Sequence, residues 1–212
     1  MRRLRAPGLA VLAITFVLAA GAVSAAAEPV ILAFGDSLTA GLGVAPDEAY
    51  PALLQARVRR SGYPHRVVNA GVSGDTTAGA LRRVDWVLRS QPEIVIVALG
   101  ANDGLRGQSP ATTRENLEAI VHRFQGSGAR VLLAGMRLPP NYGDELAREF
   151  AALFPAVAKR TGAPLMPFLL DGVAANPRLN QRDGIHPNAA GHRVIAERLW
   201  PHVERLLRAR AD

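Results

Sequence analysis

The chain has 212 residues, 49% hydrophobic and 20% charged, with aromatic side chains at only 5%. That length fits one folded domain with a sizeable core, and so few aromatics argue against a base-stacking surface for nucleic acid. The formal charge of +7 includes Arg2, Arg3 and Arg5 of a segment expected to be removed; without them 22 basic residues face 18 acidic ones, about +4, scattered over several helices rather than gathered into a phosphate-tracking stripe. There is no cysteine, which excludes disulfides, a thiolate nucleophile, Cys-ligated metals and a lipidated cysteine anchor. Lys159 is the only lysine, so Walker-type phosphate loops and Schiff-base chemistry have almost nowhere to reside.

Met1 to Ala27 reads as a signal peptide: a basic start, an apolar run from Leu9 to Val23, and small residues from Ser24 to Ala27 ahead of Glu28 and Pro29. The run is shorter than the roughly 20 residues a spanning helix needs. Ala25-Ala26-Ala27 supplies an A-x-A pattern, with cleavage expected after Ala27 or, alternatively, after Ala25; an uncleaved anchor is the competing reading. Residues 28–212 are expected to form one domain, because no Pro/Ser-rich, repetitive or charge-blocked linker interrupts them.

Pro29 to Phe34 is an apolar run that ends in Gly35-Asp36-Ser37, a buried strand delivered into a turn. A helix is predicted from Pro51 to Arg60, stopped by Ser61-Gly62, followed by a short strand from His65 to Val68. Leu81, Val84, Val87 and Leu88 recur at helical spacing before Pro92, and Ile94 to Leu99 is too β-branched and too short for anything but a central strand. Ser109-Pro110 opens a helix through Phe124, closed by Gly126 and Gly128, with a strand from Val131 to Ala134 behind it. A helix from Asp144 to Arg160, a short strand from Leu165 to Phe168 and an amphipathic helix from Ala189 to Arg208 complete the pattern. Alternating apolar strands and helices predict an α/β fold, a three-layer α/β/α sandwich with a five-stranded parallel sheet. In such sheets the active crevice lies outside the carboxyl ends of the strands, where Ser37, Gly74, Asn102 and the loop after Leu138 would gather.

A serine at a strand-to-turn junction becomes a useful nucleophile only when a neighbouring base takes its proton. Among five histidines, His186 stands out, because Asp183-Gly184-Ile185-His186-Pro187 sets a carboxylate three residues before it in a tight loop. The carboxylate can accept from Nδ1–H and leave Nε2 free to face Ser37; on its own, the same pentapeptide also fits a turn that merely caps the next helix. His65, His122, His192 and His202 have no such neighbour and read as surface or packing residues. Acyl transfer also needs donors for an oxyanion. Ser73-Gly74-Asp75 and Gly100-Ala101-Asn102-Asp103 supply a backbone N–H and a side-chain amide at successive strand ends, though each loop alone is equally an ordinary turn. No serine sits in a G-x-S-x-G elbow, since Thr39 follows Ser37 and Asp75 follows Ser73 where the second glycine would be; this excludes the α/β-hydrolase arrangement.

Gly35-Asp36-Ser37-Leu38, Gly74, Gly100-Ala101-Asn102-Asp103 and Asp183-Gly-Ile-His186-Pro are four blocks, in order, that resemble those of the SGNH (GDSL) hydrolases. Within that family, Ser73-Gly-Asp-Thr76, Asn102-Asp-Gly-Leu-Arg-Gly107 and Arg137-Leu-Pro-Pro-Asn-Tyr-Gly143 look most similar to the bacterial periplasmic thioesterase, lysophospholipase and arylesterase branch. The resemblance implies a flavodoxin-like sandwich and an acyl-serine mechanism. Ser37 would attack, His186 shuttle the proton and Asp183 orient it, with Ser37 N–H, Gly74 N–H and Asn102 as the oxyanion hole. It implies no metal and no cofactor, a small-molecule acyl ester or thioester substrate, and a periplasmic or secreted location. Asp36, Leu38, Leu105, Arg106 and Ile185 are the candidate substrate-binding residues. Ala101 departs from the pattern, standing where relatives tend to carry a second glycine, so its methyl is expected to narrow the groove. A carbohydrate acetylesterase of the same fold and a non-catalytic binding protein are the competing functions. A monomer without nucleic-acid partner or stable membrane anchor, making at most transient contact with lipid, is expected.

Overall fold

The computed structural model describes residues 28–209, so the leader expected over Met1–Ala27 lies outside the described residues. In chain order the elements are β1 (Val30–Gly35), α1 (Ser37–Ala40), α2 (Tyr50–Arg60), β2 (Arg66–Gly71), α3 (Thr77–Leu88), β3 (Pro92–Ala98), α4 (Ala101–Leu105), α5 (Pro110–Gly126), β4 (Arg130–Ala134), a 3-10 turn (Pro140–Tyr142), α6 (Asp144–Thr161), β5 (Leu165–Met166) and α7 (Ala189–Arg208). All five strands run parallel in the order β2-β1-β3-β4-β5. α2 packs with α7, while α3, α5 and α6 pack in series, giving the two helical layers. Every residue of β1 is buried, as are nearly all of β3 and β4, because strands covered on both faces must be apolar throughout. β2 is an edge strand and only half-buried, which explains Arg66 and Asn69 within it.

The chain leaves β1 toward β2 on one side and later returns to lay β3 on the other. Their following loops therefore diverge and open a crevice, the usual ligand position in this topology. Ser37 begins just past β1 and Asn102 just past β3, so both flank that opening. The Ser37 turn is also tied to the last helix through a buried polar string: Thr39 Oγ1 meets Tyr50 Oη at 2.8 Å, and Tyr50 N–H donates to His192 Nδ1 at 3.2 Å. Burial pushes the Tyr50 phenol far up, so it stays a hydroxyl.

The five-stranded sandwich matches the sequence expectation, with differences at the margins. β2 continues to Gly71 rather than stopping at Val68, because an edge strand tolerates polar residues that apolar-run reasoning treats as its end. β5 stops at Met166 rather than Phe168; Pro167 has no N–H to give a ladder. α1 and α4 were expected as plain turns, being too short to show helical periodicity. Among the described residues no helix is long and apolar enough to cross a membrane.

Candidate active site

β1 aims the chain at the crevice, and Gly35 lets it turn there: a Cβ on this residue would lie 2.0 Å from Thr39 Oγ1 and 2.7 Å from Ala98 O. Asp36 then caps α1, its Oδ1 accepting from Leu38 N–H at 3.0 Å, and Ser37 becomes the first residue of the helix. The Ser37 hydroxyl is 3.0 Å from His186 Nε2, across 149 residues of sequence. His186 Nδ1 is in turn 2.7 Å from Asp183 Oδ2. The other Asp183 oxygen accepts from both Ile185 N–H and His186 N–H at 3.0 Å, so the side chain folds its own loop around the imidazole. With Nδ1–H given to Asp183, Nε2 is left as the acceptor for the serine proton. Gln181 fixes this loop to the serine turn, its Nε2 donating to Leu42 O at 2.7 Å and Pro187 O at 3.0 Å.

Asp183 is well exposed and, despite slight desolvation that acts to raise it, hydrogen bonds from the His186 N–H, the His186 ring and Ile185 N–H hold its carboxyl below the ordinary carboxylate range. It is therefore an anion wherever the imidazole is in use. Among the described residues no three His, Asp or Glu side chains converge as metal ligands.

The backbone N–H groups of Ser37 and Gly74 have no acceptor among the described residues. Gly74 holds φ +79°, a conformation that favours glycine, and its carbonyl is fixed by Arg106 Nη2 at 2.9 Å. Asn102, on α4, gives its Nδ2 to Asp75 O at 3.0 Å and to Asp36 Oδ2 at 3.3 Å, which brings the Gly74 loop, the serine turn and α4 together. Asp103 locks α4 from behind, accepting from Thr77 N–H at 2.9 Å and Thr77 Oγ1 at 2.5 Å.

Ser37, Asn102 and His186 open on a cavity of about 340 Å³, within the range of small-molecule pockets. Its wall is chiefly apolar, with Leu105, Met136, Leu138, Phe168, Leu170 and Ile185 beside Ser37, Asn102 and His186. Of the expected substrate-binding residues, Asp36, Leu38, Leu105 and Ile185 lie in the wall, and Ala101 borders it too. Arg106 does not: it stands outside, exposed, and is spent on Gly74 O, so its place is structural support of that loop. Gly74 is likewise outside the wall. Asp36, though it borders the cavity, is 1% exposed with both oxygens engaged, which makes it a strut between Leu38 and Asn102.

Burial pushes the Asp36 carboxyl up to about 6, with Asp75 adding to the rise and Leu38 N–H and His186 opposing it. Burial pulls His192 the other way, down to about 4, against a small opposing effect of Glu48. Folded Asp36 binds its proton more tightly than the unfolded chain, so its contribution to stability is lost as pH rises from about 4 to 6. Folded His192 binds its proton less tightly, so its contribution is lost as pH falls over nearly the same window. Each amounts to about 3 kcal/mol, and they offset one another. Denaturant unfolding between pH 4 and 6.5 should therefore give slopes of opposite sign in Asp36→Asn and His192→Asn relative to the parent protein. Three parallel curves would refute this pairing.

Ser37, Gly74, Asn102 and the loop after Leu138 were expected to gather at the carboxyl ends of the strands; Ser37, Asn102, Leu138 and Pro139 border the cavity there, Gly74 lies in the loop after β2, and His186 meets Ser37. Gln181 and Arg83, which hold that end together, were not among the expected residues. Arg83 had one legible sign: it falls on the stripe of α3 that carries the buried Ala80, Val84 and Val87, an unusual place for a charge.

Comparison with known proteins defines the class. Residues 33–194 match the GDSL-like Lipase/Acylhydrolase family, and the chain belongs to that family, whose fold and ester-hydrolysing chemistry it shares. Among its relatives, it is 43% identical over 183 residues to Esterase TesA of Pseudomonas aeruginosa, covering 86% of this chain and 91% of that one. It is 39% identical over 184 residues to Thioesterase 1/protease 1/lysophospholipase L1 of Escherichia coli, covering 86% and 87%. The crystal structure of TesA superposes with a TM-score of 0.81 at 42% identity, covering 84% of this chain and 99% of that one.

Proposed function

We propose that this protein is an exported serine esterase and thioesterase, a single catalytic domain from residue 28 onward that hydrolyses acyl esters through an acyl-serine intermediate. The observation that carries this reading is the continuous Ser37–His186–Asp183 hydrogen-bond chain, at 3.0 and 2.7 Å, opening on an apolar cavity. His186 Nε2 takes the Ser37 proton as Oγ bonds to the substrate carbonyl carbon, and the carbonyl oxygen becomes an oxyanion held by Ser37 N–H, Gly74 N–H and the Asn102 amide. Collapse breaks the bond to the alcohol or thiol, which leaves with the proton from His186. Water then attacks the acyl-serine with His186 again as base, returning free acid and enzyme. No step calls for a metal or cofactor.

Export is supported by the Arg-rich start, the Leu9–Val23 apolar run and the A-x-A pattern at Ala25–Ala27. Fatty acyl, lysophospholipid and aryl esters or thioesters are the proposed substrate class, supported by the apolar wall and by the names of the relatives. The test is a series of nitrophenyl esters and acyl thioesters given to the mature protein. While the chain stays inside the cavity, each added methylene should raise kcat/KM up to about fourfold, the worth of roughly 0.8 kcal/mol of burial. Activity highest on acetate and gone beyond butyrate would instead indicate an acetylesterase.

A further inference from the structure

Arg83, on α3, binds three separate segments at once. Its Nε donates to Asp75 Oδ2 at 2.7 Å, Nη1 to Ala70 O at 2.9 Å and Nη2 to Gly35 O at 2.9 Å. The guanidinium carbon also lies 4.1 Å from the centre of the Phe34 ring. The acceptors are the carboxyl ends of β1 and β2 and the loop after β2, and Gly35 O takes a second bond from Val72 N–H at 3.0 Å. Carbonyls at strand ends have run out of ladder partners, and a planar fork of donors can serve several of them in fixed directions, which a lysine cannot. The pair is only partly open to solvent, with side-chain exposures of 19% for Arg83 and 10% for Asp75, so screening weakens it little.

Two of the segments that Arg83 holds lie beside a proposed oxyanion donor. Gly35 is two residues before Ser37, and Asp75 directly follows Gly74. The carbonyl of Asp75 receives the Asn102 amide at 3.0 Å. Arg83 is outside the cavity wall and has no contact of its own with the Ser37–His186–Asp183 chain. We infer that Arg83 is a positioning residue, clamping the serine turn and the Gly74 and Asn102 donors into one rigid frame, so that its loss lowers turnover through oxyanion stabilisation rather than through substrate binding. This rests on the roles of Ser37, Gly74 and Asn102 proposed above.

The experiment compares Arg83→Ala, Arg83→Lys and Asp75→Asn with the parent protein, measuring kcat per fluorophosphonate-titrated site, KM, the affinity of a boronic acid that mimics the tetrahedral adduct, and thermal melting. For Arg83→Ala, kcat per titrated site should fall about ten- to hundredfold, as for other small misplacements of reacting groups. KM should stay within about twofold, since uniform binding is untouched. The boronic acid should weaken in step with kcat, and Arg83→Lys should recover only part of the loss. A lowered melting temperature with unchanged kcat per titrated site would make Arg83 a structural clamp only and overturn the inference. Should Arg83→Ala fail to fold, Arg83→Lys and Asp75→Asn decide by the same criterion. Ser37→Ala run alongside separates the two ideas, because activity surviving there would undo the underlying mechanism without bearing on Arg83.

Discussion

Replacing Ser37 by alanine should lower kcat on short nitrophenyl esters by a factor on the order of 10⁴ to 10⁶, the loss typical when a nucleophile acting as a unit with its base is removed. The change deletes one oxygen from a side chain that is 8% exposed and sits at the first position of a four-residue helix already capped by Asp36. Folding should be untouched, and far-ultraviolet circular dichroism with a melting curve checks that. A fluorophosphonate should label the parent protein at Ser37 alone and leave Ser37→Ala unmodified. Label on another serine, or ester hydrolysis persisting in the variant, would discredit the mechanism. His186→Ala should fall by a comparable factor, because the serine then keeps its proton.

The second large effect is expected at Asn102. Its amide joins the Gly74 loop to Asp36, and in the proposed mechanism it also faces the developing oxyanion. Asn102→Ala should reduce kcat by about 10² to 10³, the roughly 2.7 to 4 kcal/mol attached to one oxyanion donor, with KM much less affected. The amide has two hydrogens and two present acceptors, Asp75 O at 3.0 Å and Asp36 Oδ2 at 3.3 Å. Donating to an oxyanion means exchanging one of these, and the longer contact is the weaker of the two. Asn102→Asp should be worse than Asn102→Ala, because it sets a carboxylate against the buried Asp36. A twofold or smaller loss in Asn102→Ala would remove this residue from the oxyanion hole.

Much of this was legible because apolar runs and catalytic blocks are local signals. β1, β3, β4 and α7 were read within about two residues, since all-apolar strands and a long amphipathic stripe each leave a strong periodic mark. The Asp183–His186 pairing was legible because both partners share one loop. What stayed hidden was long-range. Nothing in the spelling of α3 says that Arg83 reaches back to Gly35, or that Gln181 reaches Leu42, because these contacts depend on how elements stack rather than on neighbours in the chain. Arg106 is another case: its Nη2 donates to Gly74 O, a contact that its place in the motif does not announce.

The serine follows the first strand and the imidazole precedes the last helix, 149 residues apart. On the proposed mechanism, a chain still emerging from the ribosome carries a hydroxyl with nothing to deprotonate it until residue 186 has also been made. On that mechanism the hydroxyl stays unarmed until folding brings the imidazole to it.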